Sequence, residues 1–532
     1  MTKSAWAVLS FLLLAACAQV RAPQGGSKDT EPPKLLSAEP ADGSIRFSGK
    51  KIVLHFDERV KLDRVRERLL VSPPLAKAPD VIVSGSKDVV ISLNAPLVAN
   101  TTYTFNIGEA VQDLSEGNPA EGLSYVVSTG NHVDSLALSG MVLDANTGLP
   151  VTDALVLLHD AKDTGDVRTA PPAYFTRTDA NGGFKLTHLR GGPMHLNALR
   201  DRNGNYRYDL PNEDIAFLDS VVDPAHAAEQ TLFLFQPLSA TQFVIGAKVQ
   251  ADRGWQLIMA RPAGEIALHS LDRSGGNLTW WPEWSKARDT VLLWPSDTTL
   301  LNGQRFIIME DGKELDTLGY RVTAPMPFNL VVSSAREPVS GALFLYSSRP
   351  VAAVDTAHAM FTLDSLRVPL SVALDPNARR DIRIDQGLSP DGTASLILYP
   401  KAVEGVMGGT NDTTRLAFGK RDPRTLGRLK VELTLDSGTM LHSPLVLQLR
   451  TGPDRVVRED HQDSVPSTVS WANLPPGSYA LKLIEDTDRN GRWSTGSFMP
   501  PRQPERVFLL TDPVVVRAGW SIETHWKVAG HH

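Results

Sequence analysis

The sequence predicts an all-β protein, built as tandem β-sandwich domains that follow a signal peptide. Short segments of alternating apolar and polar residues, rich in β-branched and aromatic side chains, recur about every ten residues between Gly, Pro, Asn and Asp turn signals. A chain of 532 residues is too long for one hydrophobic core, so several domains are expected. The clearest predicted strands are Lys51–Phe56, Asp80–Ser84, Asp88–Leu93, Thr102–Ile107 and Ser124–Ser128.

Residues 1–16 have the composition of a signal peptide. Lys3 precedes an apolar run from Ala5 to Ala16 that is too short to span a bilayer and ends at Cys17. Cys17 is the only cysteine of the chain, so it cannot form an internal disulfide. The run Leu14-Ala15-Ala16-Cys17 resembles the lipobox of bacterial lipoproteins, which implies cleavage before Cys17 and acylation of that residue. The alternative is an ordinary signal peptide with an incidental cysteine.

Residues 17–33 form the predicted acylated cysteine and flexible tether, because Pro, Gly and charged residues predominate there without apolar periodicity. Ala18 follows the cysteine, and the resemblance to Gram-negative lipoproteins then implies retention at the outer membrane. No acidic cluster follows at once, which favours the periplasmic face over surface export. The membrane partner is therefore expected to be reached through the N-terminal lipid.

Composition and motifs exclude several function classes. A formal net charge of −6 without a basic stripe argues against a nucleic-acid partner. The chain has no HExxH, no GxSxG, no P-loop and no GxGxxG after a predicted strand, so no catalytic residues and no enzyme activity are predicted. A carboxylate pair for glycoside cleavage stays open, since such a pair depends on distances in three dimensions.

Two consecutive segments carry family resemblances. In residues 34–130, the runs Pro40–Gly43, Ile52–Glu58 and Leu97–Phe105 resemble the bacterial Ig-like domain of the S-layer type. In residues 136–235, the runs Leu138–Asp144 and Thr178–Phe184 are similar to the carboxypeptidase regulatory-like, or Cna-B, prealbumin-type sandwich. The first resemblance implies a structural β-sandwich without a ligand site, and the second implies an accessory fold.

The rest of the chain is interpreted as one unassigned domain followed by a repeat. Residues 236–335 are an unassigned β domain. Residues 336–425 form a degenerate Ig-like domain, because Ala342–Val351 and Leu388–Tyr399 parallel strands of the first domain. Residues 426–530 form a second prealbumin-like domain, in which Val469–Tyr479 resembles the strand-turn-strand that closes the fold. Such a series predicts a rod whose domains contact mainly their sequence neighbours.

Two short polar motifs, at corresponding places in the two prealbumin-like domains, are candidate calcium loops. Oxygen-bearing side chains at alternate positions of a tight loop can converge on one Ca²⁺ ion, and the spacing resembles the start of an EF-hand or dockerin loop. Position twelve is Asn212 or Ser497 instead of the bidentate Glu. The alternative is that these side chains bond their own backbone amides above Tyr208 and Trp493. The candidate ligands are Asp201, Asn203, Asn205 and Asp209 in the first loop, and Asp486, Asp488 and Asn490 in the second.

Tryptophans cluster between Trp280 and Trp294. Trp280, Trp281 and Trp284 could form a platform for a glycan, since indoles stack on the apolar faces of sugar rings while nearby carboxylates bond hydroxyls. The alternative is that they fill a sandwich core.

These observations predict an outer-membrane-anchored, non-enzymatic lipoprotein that serves as a structural or binding module of the cell envelope. Its further partner is expected to be an envelope protein or a glycan. The alternative function is a carbohydrate-binding accessory lipoprotein that uses the Trp280–Trp294 segment.

Overall fold

The structure, a computed structural model, describes residues 30–529 apart from short internal segments. Those segments are 108–109, 121, 163–164, 273–277, 298–300, 324–329, 337–341, 376–377, 387–391, 419–422, 443 and 453–454. Cys17, the predicted signal peptide and nearly all of the predicted tether lie outside the described residues. The described chain is almost entirely strands, which confirms the all-β fold class. Its helical elements are α1 (Val65–Arg68) and the 3-10 turns Thr356–His358 and Pro423–Thr425.

The first sandwich contains the sheets β1-β2-β6-β5, β4-β7-β9 and β3-β8. In β2 the residues Ile52, Leu54 and Phe56 point into the core while their neighbours face outward, as period-two alternation requires. The predicted bounds of β2, β5 and β9 are confirmed, and β6 and β7 end one residue earlier than predicted. The strands are β1 (Leu35–Glu39), β2 (Lys51–Phe56), β3 (Val60–Leu62), β4 (Leu70–Ser72), β5 (Asp80–Ser84), β6 (Asp88–Ser92), β7 (Thr102–Asn106), β8 (Val111–Asp113) and β9 (Ser124–Ser128).

The second sandwich packs the sheet β13-β10-β16 against the sheet β12-β11-β14-β15. Strand β10 pairs in antiparallel fashion with β13 and in parallel with β16. Gly140 lies in this parallel pair, where an added Cβ would come within 1.9 Å of the carbonyl oxygen of Gln230, so only glycine fits. The strands are β10 (Leu136–Asp144), β11 (Leu155–Asp160), β12 (Tyr174–Arg177), β13 (Gly183–Leu189), β14 (Met194–Leu199), β15 (Ile215–Phe217) and β16 (Gln230–Leu234).

The third sandwich packs the sheet β17-β18-β21-β20 against the sheet β19-β22-β23. Its core contains Trp255, Leu257, Leu293, Phe306 and Ile308. The segment that matched no family from sequence is therefore also a two-sheet β domain. The strands are β17 (Val244–Val249), β18 (Trp255–Met259), β19 (Ile266–Ser270), β20 (Trp280–Trp284), β21 (Thr290–Pro295), β22 (Arg305–Glu310) and β23 (Lys313–Gly319).

The fourth sandwich repeats the strand order of the first. Its sheets β24-β25-β30-β29, β26-β32 and β28-β27-β31-β33 correspond to those of the first sandwich, with β28 as an addition. The strand orders of the first and fourth sandwiches thus correspond, and the assignment of the fourth as a degenerate Ig-like domain stays a prediction. The strands are β24 (Val332–Arg336), β25 (Leu343–Ser347), β26 (Val351–Val354), β27 (Ala359–Leu363), β28 (Leu366–Val368), β29 (Val372–Leu374), β30 (Asp381–Ile384), β31 (Ala394–Leu398), β32 (Val403–Gly405) and β33 (Thr414–Phe418).

The fifth sandwich repeats the topology of the second. Strand β34 pairs in antiparallel fashion with β37 and in parallel with β41, as β10 does with β13 and β16. The facing sheet is β36-β35-β38-β39, with β40 also on β38. The strands are β34 (Gly427–Leu435), β35 (Leu445–Thr451), β36 (Arg455–Gln462), β37 (Thr468–Leu474), β38 (Gly477–Glu485), β39 (Val507–Leu509), β40 (Val514–Val516) and β41 (Ser521–Val528).

The expected rod is wrong, because the fifth sandwich folds back onto the second. Lys482 Nζ donates to the carbonyl oxygen of Asn146 over 2.7 Å, and Gln503 Nε2 donates to the carbonyl oxygen of Phe217 over 2.9 Å. Residues distant in the chain thereby form one contact. The packing of the second sandwich against the fifth buries apolar side chains of both, since Phe217 and Phe235 share one hydrophobic cluster with Trp493 and Phe498. None of the helices in the described residues is long and apolar enough to span a membrane.

Candidate functional site

The first acidic loop, residues 201–213, connects β14 to β15 and is organised by two carboxylates. Asp201 accepts hydrogen bonds from the backbone N–H groups of Gly204 and Tyr206, over 2.7 and 2.8 Å. Glu213, which is fully buried, accepts from the N–H groups of Arg202, Asp209 and Leu210, each over 3.0 Å. The two carboxylates take the place of backbone acceptors that a tight loop lacks.

Three of the four predicted ligands of the first loop come together, whereas the Asp201 carboxylate bonds backbone N–H groups. Asn203 and Asn205 donate through Nδ2 to the two carboxylate oxygens of Asp209, over 3.1 and 2.6 Å. Their amide oxygens accept from backbone N–H groups of the same loop. The side chains thus satisfy one another and the loop backbone, which is the alternative that the sequence analysis set beside calcium binding.

The second acidic loop, residues 486–505, has the same construction with different spacing. Asp486 accepts from the N–H groups of Asn490 and Gly491, both over 2.9 Å. Glu505 accepts from the N–H groups of Thr487 and Ser494, over 2.6 and 2.8 Å. Burial raises the pKa of the Glu505 carboxyl, and the N–H donors partly oppose that shift.

Sequence reasoning missed the roles of Glu213 and Glu505. They do equivalent work in the two loops, yet they stand at different distances from Asp201 and Asp486, so a fixed EF-hand spacing could not find both. The backbone bend was predictable from sequence only at Gly204 and Gly491. The fourth and sixth residues of each loop have positive φ, at 73° for Gly204 and 62° for Tyr206, against 60° for Arg489 and 76° for Gly491.

The second loop brings more carboxylates together than the first. Carboxylate oxygens of Asp486, Asp488 and Glu505 lie within 4.8 Å of one another. Among the described residues, these three carboxylates are the cluster that could hold a metal ion. Ca²⁺ takes about six to eight oxygen ligands. Asn490 and Ser494 also reach Asp488, over 2.9 and 2.6 Å. Calcium binding at either loop stays a prediction.

Calcium binding has a measurable consequence for stability. A loop of the weak extracellular type, with Kd of about 10⁻⁴–10⁻³ M, should raise the free energy of unfolding by about 1.4 kcal/mol at tenfold excess over Kd. Urea unfolding of the full chain with Ca²⁺, and with Mg²⁺ as the control, measures this. Asp488→Ala should abolish the shift if the second loop binds the ion, and Asp209→Ala should abolish it if the first loop does. An unchanged urea midpoint of unfolding in millimolar Ca²⁺ would contradict calcium binding at both loops.

The two sandwiches that carry the acidic loops meet in an aromatic contact, which we call the clasp. The Phe498 ring lies 5.5 Å from Tyr208 and 5.6 Å from Phe217, both edge-on. Thr495 Oγ1 donates to the carbonyl oxygen of Gln236 over 2.8 Å. Trp493 packs in the same cluster and donates to the carbonyl oxygen of Glu505 over 2.9 Å. The loops therefore hold the clasp residues in place.

Lys482 is a buried cation within this contact. Its side chain is 4% exposed, and its Nζ donates to both the backbone and the side-chain oxygen of Asn146. Burial lowers its pKa to about 8, and the positive charge of Arg450 acts in the same direction. The charged amine is therefore costly in the folded state.

The Lys482 shift predicts an unusual pH dependence. Between about pH 8 and pH 10.5 the unfolded chain holds this proton and the folded chain releases it, so stability should rise with pH by up to about 3 kcal/mol. Lys482→Met should lose this slope. Buried tyrosines such as Tyr174 have raised pKa values, which lower stability at still higher pH, so the difference between wild type and variant isolates Lys482. Equal slopes in urea unfolding would contradict the shift.

The tryptophans of the Trp280–Trp284 strand contact other side chains of the protein. Trp280 packs edge-on against Phe306 at 5.6 Å, in the core of the third sandwich. The guanidinium group of Arg379, from the fourth sandwich, lies 4.0 Å from the Trp281 ring centre, and that of Arg288 lies 4.4 Å from Trp284. Trp280 and Trp284 pack against the core of the third sandwich, as the core-packing alternative requires, whereas Trp281 contacts the fourth sandwich. The glycan platform stays a prediction without support from this geometry.

A cleft of about 1110 Å³ opens between the second, third and fifth sandwiches. Its apolar wall comes from β17 and β18, and Asp488 and Asn490 of the second acidic loop reach its rim. Sequence reasoning did not predict this three-sandwich cleft. It exists only because the fifth sandwich folds back, and no local pattern encodes that contact.

Comparison with known proteins identifies part of the chain. Residues 29–129 match the bacterial Ig-like domain family. The first sandwich is therefore an Ig-like domain, and the predicted resemblance of this segment is confirmed. No curated protein matches the chain.

Several solved structures share weak likeness with the chain. The L,D-transpeptidase from Mycobacterium smegmatis is 14% identical, with 31% of this chain and 76% of that chain covered and a TM-score of 0.15. BcpA, the major pilin subunit of Bacillus cereus, is 11% identical, with coverages of 74% and 99% and a TM-score of 0.14. The TIE protein of Bacillus anthracis is 10% identical, with coverages of 96% and 76% and a TM-score of 0.16. TM-scores this low carry no argument about function.

Proposed function

We propose that this chain is a non-enzymatic lipoprotein, held at the outer membrane by acylated Cys17, that serves as a structural or binding module of the cell envelope. The observation that carries the proposal is the position of the only cysteine, directly after the apolar run Ala5–Ala16. The tether of residues 18–33 then spaces the first sandwich from the bilayer. Acyl chains contribute about 0.8 kcal/mol per buried methylene, so more than one chain makes the attachment stable.

The body of the protein supports a scaffold role. Buried hydrophobic clusters fill each of the five sandwiches, and the clasp joins the second to the fifth. Because the chain folds back, clefts open between domains that are distant in sequence, such as the one between the second, third and fifth sandwiches. Such a body suits a protein that holds a partner near a membrane.

Membrane fractionation together with protease treatment tests this proposal. The protein should sediment with outer membranes on a density gradient and resist washing with high salt, because the lipid attachment is hydrophobic. A protease added to intact cells should leave it uncut, and the same protease added after outer-membrane permeabilisation should cut it. Recovery in the soluble fraction rejects the anchor, and cleavage on intact cells rejects the periplasmic face.

A further inference from the structure

The wall of the three-sandwich cleft is unusually apolar for exposed surface. Phe243, Ile245 and Ile258 are 42%, 62% and 40% exposed, and all three line the cleft. They lie on β18 and on β17 or directly before it. Large exposed side chains of this kind, gathered on one wall and rimmed by polar residues, mark surfaces that other molecules cover.

Three arginines of the same cleft lack a carboxylate partner. The guanidinium groups of Arg261, Arg492 and Arg502 donate to the backbone carbonyl oxygens of Ala240, Lys286 and Thr495. Among the residues that the structure describes, none of the three forms an ion pair. Lys286 differs, since its Nζ lies 2.6 Å from the carboxylate of Glu459. The three arginines outnumber the two carboxylates that also line the cleft, Asp289 and Asp488, so the lining keeps an excess of positive charge.

Strand β17 adds a row of backbone groups beside this surface. It lies at the end of the sheet order β17-β18-β21-β20 and pairs with β18. The bond from Gln250 N–H to the Gly254 carbonyl oxygen, 2.8 Å long, sets the phase of the antiparallel ladder. Lys248 and Gly246 then bond to β18, whereas the N–H and C=O groups of Ala247 and Val249 point to the open edge. An open strand edge is a template for a further strand.

We propose that the three-sandwich cleft binds an extended, acidic segment of a partner protein, which adds to the edge of β17. Its backbone would pair with Ala247 and Val249, its apolar side chains would cover Phe243, Ile245 and Ile258, and its carboxylates would pair with the three arginines. This inference rests on the proposed role as a binding module, and it is independent of the lipid anchor. The open edge of β17 favours a peptide over an acidic polysaccharide, because a polysaccharide has no backbone N–H and C=O groups at the spacing of a strand.

Fluorescence anisotropy of the full chain with a labelled, strand-length peptide of alternating Val and Glu tests the proposal. This peptide should bind, and the same peptide with Lys in place of Glu should not. Replacing Arg261, Arg492 and Arg502 together by Gln should weaken binding at least about tenfold. The matched control replaces three exposed arginines outside the cleft, Arg66, Arg367 and Arg428, and should leave affinity unchanged.

A protein variant and a modified peptide test the backbone pairing with β17 separately from the charge contacts. Ala247→Pro removes one edge donor without a bond to β18, and it should weaken binding about tenfold while the urea midpoint is kept. A peptide N-methylated at alternate nitrogens should also lose affinity. Absence of saturable binding at millimolar peptide overturns the proposal. Equal competition by oligogalacturonate, unaffected by Ala247→Pro, also overturns it and assigns the cleft to an anionic glycan. Either failure leaves the membrane-fractionation result, and so the proposed function, untouched.

Discussion

Replacing Cys17 by Ser is expected to move the protein from the membrane fraction to the soluble fraction. Under the proposed function, this change removes the thiol that would carry the acyl chain, and the sequence after residue 17 has no apolar run of about 20 residues. Acylation contributes about 0.8 kcal/mol for each buried methylene, so its loss should reduce membrane partitioning by several orders of magnitude. Detergent phase separation of whole-cell extracts, followed by immunoblotting, measures the partition.

The matched control is Gln19→Ala, which changes the tether and leaves Cys17 in place. It should partition as the wild type does. The lipid-anchor account is contradicted if Cys17→Ser stays in the detergent phase after losing residues 1–16, because another part of the chain would then hold the membrane. Retention of the signal peptide in Cys17→Ser alone does not decide the matter, since the uncleaved apolar run could hold the chain weakly. The size of the variant on a gel is therefore recorded with its partition.

Replacing Gly496 by Ala is expected to open the clasp. An added Cβ would come within 2.5 Å of the Phe235 ring and within 2.6 Å of the carbonyl oxygen of Arg502. Phe235 is 3% exposed and cannot retreat, and the carbonyl belongs to the backbone. Overpacking of this kind costs about 1–3 kcal/mol, and separation of the two sandwiches relieves it at the expense of their contact. Urea unfolding and small-angle scattering measure the two effects.

Gly477→Ala is the matched control in the same sandwich, since the nearest heavy atom to its added Cβ is 3.9 Å away. It should keep both the midpoint and the radius of gyration of the wild type. Gly496→Ala should lower the midpoint and increase the radius of gyration, because the fifth sandwich swings away from the second. If both variants match the wild type in both measurements, the folded-back arrangement is wrong.

The sequence predicted the parts of the fold that depend on local pattern. In β2 the alternation around Ile52 and Leu54 marks the strand and its buried face. The repeat was also predicted from sequence, because strands at equivalent positions of two sandwiches need apolar residues at the same places. Ala342–Val351 and its counterpart in the first domain are an example. The domain limits stay a prediction, and strand β24 (Val332–Arg336) crosses one of them, because it pairs with β25 of the fourth sandwich while the predicted boundary lies between residues 335 and 336.

The arrangement of the domains was beyond sequence reasoning. Phe498, Tyr208 and Phe217 are ordinary aromatic residues in their local sequences, and only the folded chain brings their rings together. The same holds for the acidic loops. Their Asp and Asn spacing was visible, but the anchoring carboxylates Glu213 and Glu505 come from loop ends at different separations. Because single-sequence patterns report local structure, the clasp and the three-sandwich cleft left no such signal.

The mass of the intact mature protein, purified from membranes, tests the central claim most directly. The account predicts the mass of a chain that begins at Cys17, without residues 1–16, plus the mass of covalently bound acyl chains on that cysteine. An amino terminus at any other residue, or an unmodified Cys17 in membrane-derived protein, would contradict the account.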